Sequence, residues 1–216
     1  MKDKKLFSEK FRPYFMMHLK MVRWQIIGEI VVGVIWGWIW DTVDTRLVIC
    51  ATIMAIATSM REFVNLCSGM LYQRESYLYR SFPVSDFETV FTKIVTCATM
   101  PSSMLIPIPL VIYGIRGLAA VPMIIAGCLL VGGIILAAIG FGNSMRDSRA
   151  KKPSMFASAV AALLMLAVQA GLIVIFAKYV PMETGLKLLI LTGVFLIEAA
   201  AFLWHNTRSL KYNYQV

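Results

Sequence analysis

The chain has 216 residues, 59% of them hydrophobic and 15% charged, with a mean hydropathy of +0.73. No soluble domain carries that much apolar surface, so composition alone excludes a water-soluble fold and predicts an all-α integral membrane protein. Most of the Lys and Arg behind the net charge of +9 stand at the flanks and connections of the apolar runs, which argues against a nucleic-acid surface and points to anionic lipid.

In chain order, residues 1–23 come first, with Phe7, Phe11, Tyr14, Phe15 and Met16 set among Lys10, Arg12, Lys20 and Arg23. That alternation predicts an amphipathic helix in the plane of the headgroups, the alternative being a solvated basic tail. Six apolar runs follow, at 24–40, 47–70, 93–113, 119–142, 153–177 and 186–204, each close to the 20 or so residues that cross a bilayer core. Together they make one permease-like domain over 24–204, with 205–216 as a tail. The first run is not read as a removable signal, because no small-residue cleavage site follows it.

The first run carries Glu29 and ends in Trp36, Trp38 and Trp40; the second carries Arg61 and Glu62. The third, "IVTCATMPSSMLIPIPLVIYG", holds Pro101, Pro107 and Pro109, which remove backbone donors and predict a kinked or broken helix, either lining a cavity or merely bent. The fifth places Ala157, Ser158, Ala161, Ala162 and Gly171 as a small-residue packing face and puts Gln169 at mid-membrane. The sixth carries Glu198 and ends in Trp204. Trp24 and Trp204 are expected at one interface, and Trp40, Tyr113 and Tyr179 at the other.

Seventeen of the 21 Lys and Arg fall on one side if both termini are cytoplasmic, against Arg46, Arg116, Lys178 and Lys187 on the other. The positive-inside bias therefore predicts cytoplasmic termini. An ionised group at bilayer depth costs about 2.5 to 3.5 kcal/mol on insertion scales, so Glu29, Arg61, Glu62 and Glu198 need a reason. Glu29 and Glu198 each lie roughly 9 Å in from the cytoplasmic end of their run. Structural pairing, a water-filled vestibule, proton coupling and substrate contact all remain open for them.

Cys50, Cys67, Cys97 and Cys128 lie inside apolar runs without metal-ligand spacing, and His18 and His205 are far apart, so no metal site is expected. No HExxH, GxSxG or P-loop is present, so no catalytic residue is assigned and the chain itself is not expected to hydrolyse nucleotide.

Between the second and third runs lies "RESYLYRSFPVSDFETVFTK". Pro83 separates two pieces, and Ser85 followed by Glu88 has the spacing of a capping box, predicting a helix start that runs into the third span. Before the proline, Tyr77, Tyr79 and Phe82 stand beside Arg74, Glu75 and Arg80. Such an aromatic load suits a short helix seated in a protein groove, or one resting on headgroups. The segment 74–85 resembles the second-to-third connection of type-2 ABC exporter permeases on Glu75, Phe82, Pro83, Val84, Ser85 and Lys93.

That resemblance implies a six-span permease in a bacterial plasma membrane, paired with a second copy as a homodimer. It also implies a coupling helix at Arg74, Glu75, Tyr77, Tyr79, Arg80, Phe82 and Pro83 that docks one of two ATPase subunits. ATP and Mg would be bound by that partner and no cofactor by this chain. The small layout is similar to exporters of membrane-active peptides, which implies an amphipathic peptide substrate. A proton-coupled carrier using Glu29 and Glu198, and an intramembrane enzyme, are the alternatives from other classes.

Overall fold

A computed structural model describes residues 7–40, 84–144 and 155–212, and every regular element among them is helical. Helix α1 is Phe11–Ile39, α2 is Asp86–Leu105 and α3 is Pro107–Tyr113; a 3-10 segment, Gly114–Ala120, leads into α4, Val121–Ser144. Helices α5, Met155–Tyr179, and α6, Thr184–Tyr212, complete the set. Four helical stretches are long and apolar enough to cross a membrane: α1, the stretch from α2 to α4, α5 and α6. The apolar run 47–70, with Arg61 and Glu62, lies outside the described residues, as do the coupling-segment residues from Arg74 to Pro83.

The first helix corrects one expectation. No break separates an interfacial helix from the first span, since α1 runs unbroken across residues 23 and 24. Its early turns contribute to the same packed face as the span that follows. Tyr14, His18, Val22, Gly33 and Gly37, spaced so that they share one face, are buried against α2 and α3, while Trp24 and Trp38 stay exposed.

Proline sets the shape of the next stretch. Pro107 and Pro109 cannot donate, and the helix is interrupted at Ile106, whose own N–H still reaches the Ser102 carbonyl at 2.9 Å. Pro101 is absorbed within α2. After Tyr113 the chain turns at Gly114, where φ is +57°, a conformation glycine adopts without steric cost. Gly117 then passes so close to the Pro109 carbonyl that a Cβ would overlap it. The chain doubles back, and α4 packs antiparallel to α2, with Gly132 beside Ile94 while Pro101 and Cys128 line one cavity.

Helix α4 is the centre of the molecule. Residues 132–140 are buried without interruption, so this helix is apolar all round rather than striped. Val90, Ile94 and Cys97 of α2 close on Ile135, Leu136 and Ile139 on one side. On the other, Phe195 and Ala199 of α6 close on Ala126, Leu130 and Ile134. A Cβ on Gly133 would come within 2.8 Å of the Phe202 Cβ, and the Asn206 amide donates to the Gly133 carbonyl at 3.0 Å. Helix α5 lies at the periphery. None of the 18 residues in its most apolar window is buried, although Ala157, Ala161 and Ala162 are half-covered. Gly171 is exposed with nothing within 4 Å of it, so it packs against no other helix of this chain among the described residues.

The register of contacts shows that α1 and α2–α3 run parallel: His18 meets Lys93, Gly33 meets Met104 and Gly37 meets Val111. Consequently Trp40 and Val84, which residues 41–83 join, lie at opposite ends of this pair. The close approach depends on Gly33 and Gly37, a GxxxG spacing. A Cβ on Gly33 would overlap the Met104 carbonyl oxygen, while one on Gly28 meets nothing within 4 Å. We expect Gly33→Ala to destabilise the protein by about 1 to 3 kcal/mol, as overpacking does, and Gly28→Ala to be neutral or slightly stabilising. Unfolding of both variants in mixed micelles checks this.

Candidate functional site

Where α2 begins, the local sequence dictates the geometry. Ser85 is extended, with φ −72° and ψ 159°, and its hydroxyl accepts the Glu88 N–H at 3.2 Å. The Glu88 carboxylate returns to the Ser85 N–H at 2.7 Å and accepts the Ser85 hydroxyl at 3.1 Å. This is the capping box expected from the spacing. Its other oxygen accepts the N–H of Ser8, just ahead of α1. One carboxylate thus holds the starts of two helices together.

Rings fill the space beside it. Phe7 stacks on Phe11 at 4.3 Å between centroids and approaches Phe91 at 5.4 Å and Phe87 at 6.0 Å. Phe11 stacks in turn on Phe15 at 5.6 Å. Such offset pairs add about 0.5 to 1.5 kcal/mol each beyond their burial.

One turn further in, Lys93 is 1% exposed, and its ammonium lies 3.0 Å from His18 Nε2. His18 Nδ1 lies 2.9 Å from the Tyr14 carbonyl oxygen. A carbonyl only accepts, so Nδ1 carries the proton and Nε2 offers its lone pair to the ammonium. The imidazole is neutral here and orients the lysine. The hydroxyls of Thr92 and Thr96, both buried on the same helix, have no hydrogen-bond partner among the described residues.

A second feature lies deeper. Helices α2, α4, α5 and α6 line a half-open apolar cavity of about 330 Å³, bordered by Pro101, Met123, Cys128, Leu166, Gln169 and Phe195 among others. The proline-bearing α2 and Gln169, expected from the sequence as separate features, therefore meet at one place.

The two carboxylates that the sequence puts inside apolar runs, Glu29 and Glu198, are not brought together. Glu29 is half-buried on α1, which packs on α2 and α3, whereas Glu198 is half-buried on α6, which packs on α4 and α2. Glu198 Oε2 is shielded and has no hydrogen-bond partner among the described residues. Arg61 and Glu62, and Arg74, Glu75, Tyr77, Tyr79, Arg80, Phe82 and Pro83, are outside the described residues, so their side chains are not placed. Reasoning from sequence missed the Ser8 contact of Glu88, the His18–Lys93 pair and the glycine face of α1. Only the last had a readable signal, the spacing of Gly33 and Gly37. No group of three or more His, Cys, Asp or Glu suited to a metal occurs among the described residues. Compared with protein-family models, characterised proteins and solved structures, the chain matches none.

Glu88 stands ahead of the apolar run that begins at residue 93. Burial alone would raise its carboxyl, but the donors of Ser8 and Ser85 outweigh it and hold the group below its ordinary value of 4.5. A lowered folded-state value stabilises the folded form fully above the unfolded value, and that contribution is lost as the pH falls through the lowered one. Hydrogen exchange over residues 7–15 should therefore be protected evenly above about pH 5 and lose protection below about 4.5. In E88Q that pH dependence should vanish, and Glu88→Ala should cost about 0.5 to 2 kcal/mol as a lost cap.

Proposed function

We propose that the chain is the membrane-embedded permease half of an ATP-driven exporter, paired with a second copy and worked by separate ATPase subunits that bind ATP and Mg. The coupling element is 74–85, and both termini are cytoplasmic. The observation that carries this is the junction at Ser85, Glu88 and Lys93. Two of the six residues on which the chain resembles such permeases, Ser85 and Lys93, stand where α2 is bolted to α1. A push delivered just ahead of Ser85 is thereby passed to two helices at once rather than absorbed in a loop.

Further support comes from connectivity and surface. Because α1 and α2 run parallel, Trp40 and Val84 lie at opposite ends of the pair, which is compatible with the second span expected from the sequence at 47–70. Trp24 and Trp204 are 70% and 63% exposed towards one end, and Trp38, Tyr113 and Tyr179 are 72%, 66% and 69% exposed towards the other. Amphipathic rings in that arrangement suit two membrane interfaces. A proton-coupled carrier relying on Glu29 and Glu198 gains less, since the two carboxylates sit on helices that pack with different partners. The substrate proposed is an amphipathic peptide entering from the inner leaflet.

Co-purification tests the coupling. The full chain expressed with its genomic neighbours should retain an ATPase, and Glu75→Ala or Tyr77→Ala should weaken that association by about 2 kcal/mol or more, as loss of an interface anchor does. Insertion and yield should be unchanged, and Ser144→Ala should behave as wild type. Isolation as a lone protein that moves substrate with a pH gradient would contradict the proposal.

A further inference from the structure

Helix α1 packs on α2 and α3 with one face, and its opposite face is exposed. On that exposed face Pro13, Met16, Met17, Lys20, Met21 and Arg23 line a shallow groove of about 540 Å³. At about 100° per residue they fall on the side away from Tyr14, His18 and Val22, which are buried. The groove is lined by two cations and no acidic side chain, so its charge suits an anion. Lys20 and Arg23 are both exposed. The Arg23 guanidinium lies 5.3 Å from the centroid of the exposed Trp24 ring, which holds it at the level where the apolar run begins.

What lies beyond the groove decides which anion. Further along the same face Ile27, Val31, Val34 and Ile35 are all exposed, so charge gives way to hydrocarbon without a break. An acidic protein or a free phosphate ion would satisfy the cations and leave that strip bare. From Arg23 to Val34 the helix rises roughly 16 Å, and one leaflet supplies about 15 Å of the hydrocarbon core. We propose that this face of α1 binds one anionic phospholipid, its phosphate held by Lys20 and Arg23 and one acyl chain laid along Ile27, Val31 and Ile35. The methionines of the groove pack on the first methylenes, where their flexible thioethers adapt to a mobile chain. This site does not depend on ATPase coupling. A failure of either proposal leaves the other standing.

Native mass spectrometry of the full chain, titrated with lipid in neutral detergent micelles, gives the dissociation constant of the first bound lipid. Phosphatidylglycerol should bind more tightly than phosphatidylcholine with the same chains. Glycerol 3-phosphate, which carries the phosphate without the chains, should not displace it. Lys20→Gln and Arg23→Gln should each weaken phosphatidylglycerol binding about fivefold, and together about thirtyfold, the worth of one cation apiece at an anionic surface. Neither should move the thermal midpoint of the lipid-free protein, since both side chains are exposed. Arg12→Gln removes an exposed cation of the same helix that does not line the groove, and should leave the constant unchanged. Equal affinity for the two lipids, unchanged binding in the double variant, or displacement by glycerol 3-phosphate would each overturn the proposal. So would a loss in Arg12→Gln as large as that in Arg23→Gln, the mark of diffuse attraction rather than a site.

Discussion

A lysine ammonium at the start of an apolar helix must be partnered or the helix does not form there, because an uncompensated buried charge costs several kcal/mol. Lys93 meets that requirement through His18, on a helix 75 positions earlier in the chain. The imidazole serves only because its other nitrogen is committed to the Tyr14 carbonyl, which leaves Nε2 as the acceptor. This pair fixes which turn of α1 sits against which turn of α2. Everything along the interface then follows in parallel register, with the glycines at 33 and 37 arriving opposite Met104 and Val111, where only a glycine fits.

With that register set, the remaining helices are positioned in sequence. Helix α2 carries α3 and the turn at Gly114, the turn returns α4 against α2, and α4 supplies the surfaces on which α5 and α6 pack. The apolar cavity is a consequence of the same order. It forms on the face of α2 that includes Pro101, with α5 laid loosely across it from the periphery. The proposed coupling element precedes the junction directly, and the half-open apolar cavity lies along the helix that the junction starts.

Much of the helical layout was legible because each apolar run had to be long enough for a bilayer. Five of the six runs coincide with helices, and the box at Ser85 and Glu88 was readable because capping is local. The fusion of the amphipathic segment with the first span was not legible. Phe7, Phe11 and Tyr14 look alike in sequence whether they face lipid or protein, and only the arrival of Phe87, Phe91 and Lys93 decides between the two. The close approach at Gly33 was hidden for a related reason: Gly171 and Gly33 have the same intrinsic freedom, and the neighbour that makes Gly33 indispensable comes from a distant part of the chain. Gln169 and Pro101 were each singled out, but nothing local joins them at one cavity.

The His18–Lys93 contact is the claim on which the parallel register depends, and a double-mutant cycle measures it directly. His18→Phe and Lys93→Met should each destabilise the protein, and the double variant should be far less unstable than their sum, because it removes the buried charge together with its acceptor. A coupling of about 1.5 to 3 kcal/mol, the usual worth of a hydrogen bond to a charged group, is the predicted result. Additivity to within about 0.5 kcal/mol would mean that the two side chains do not share a bond and that α1 is not held against α2 in this register.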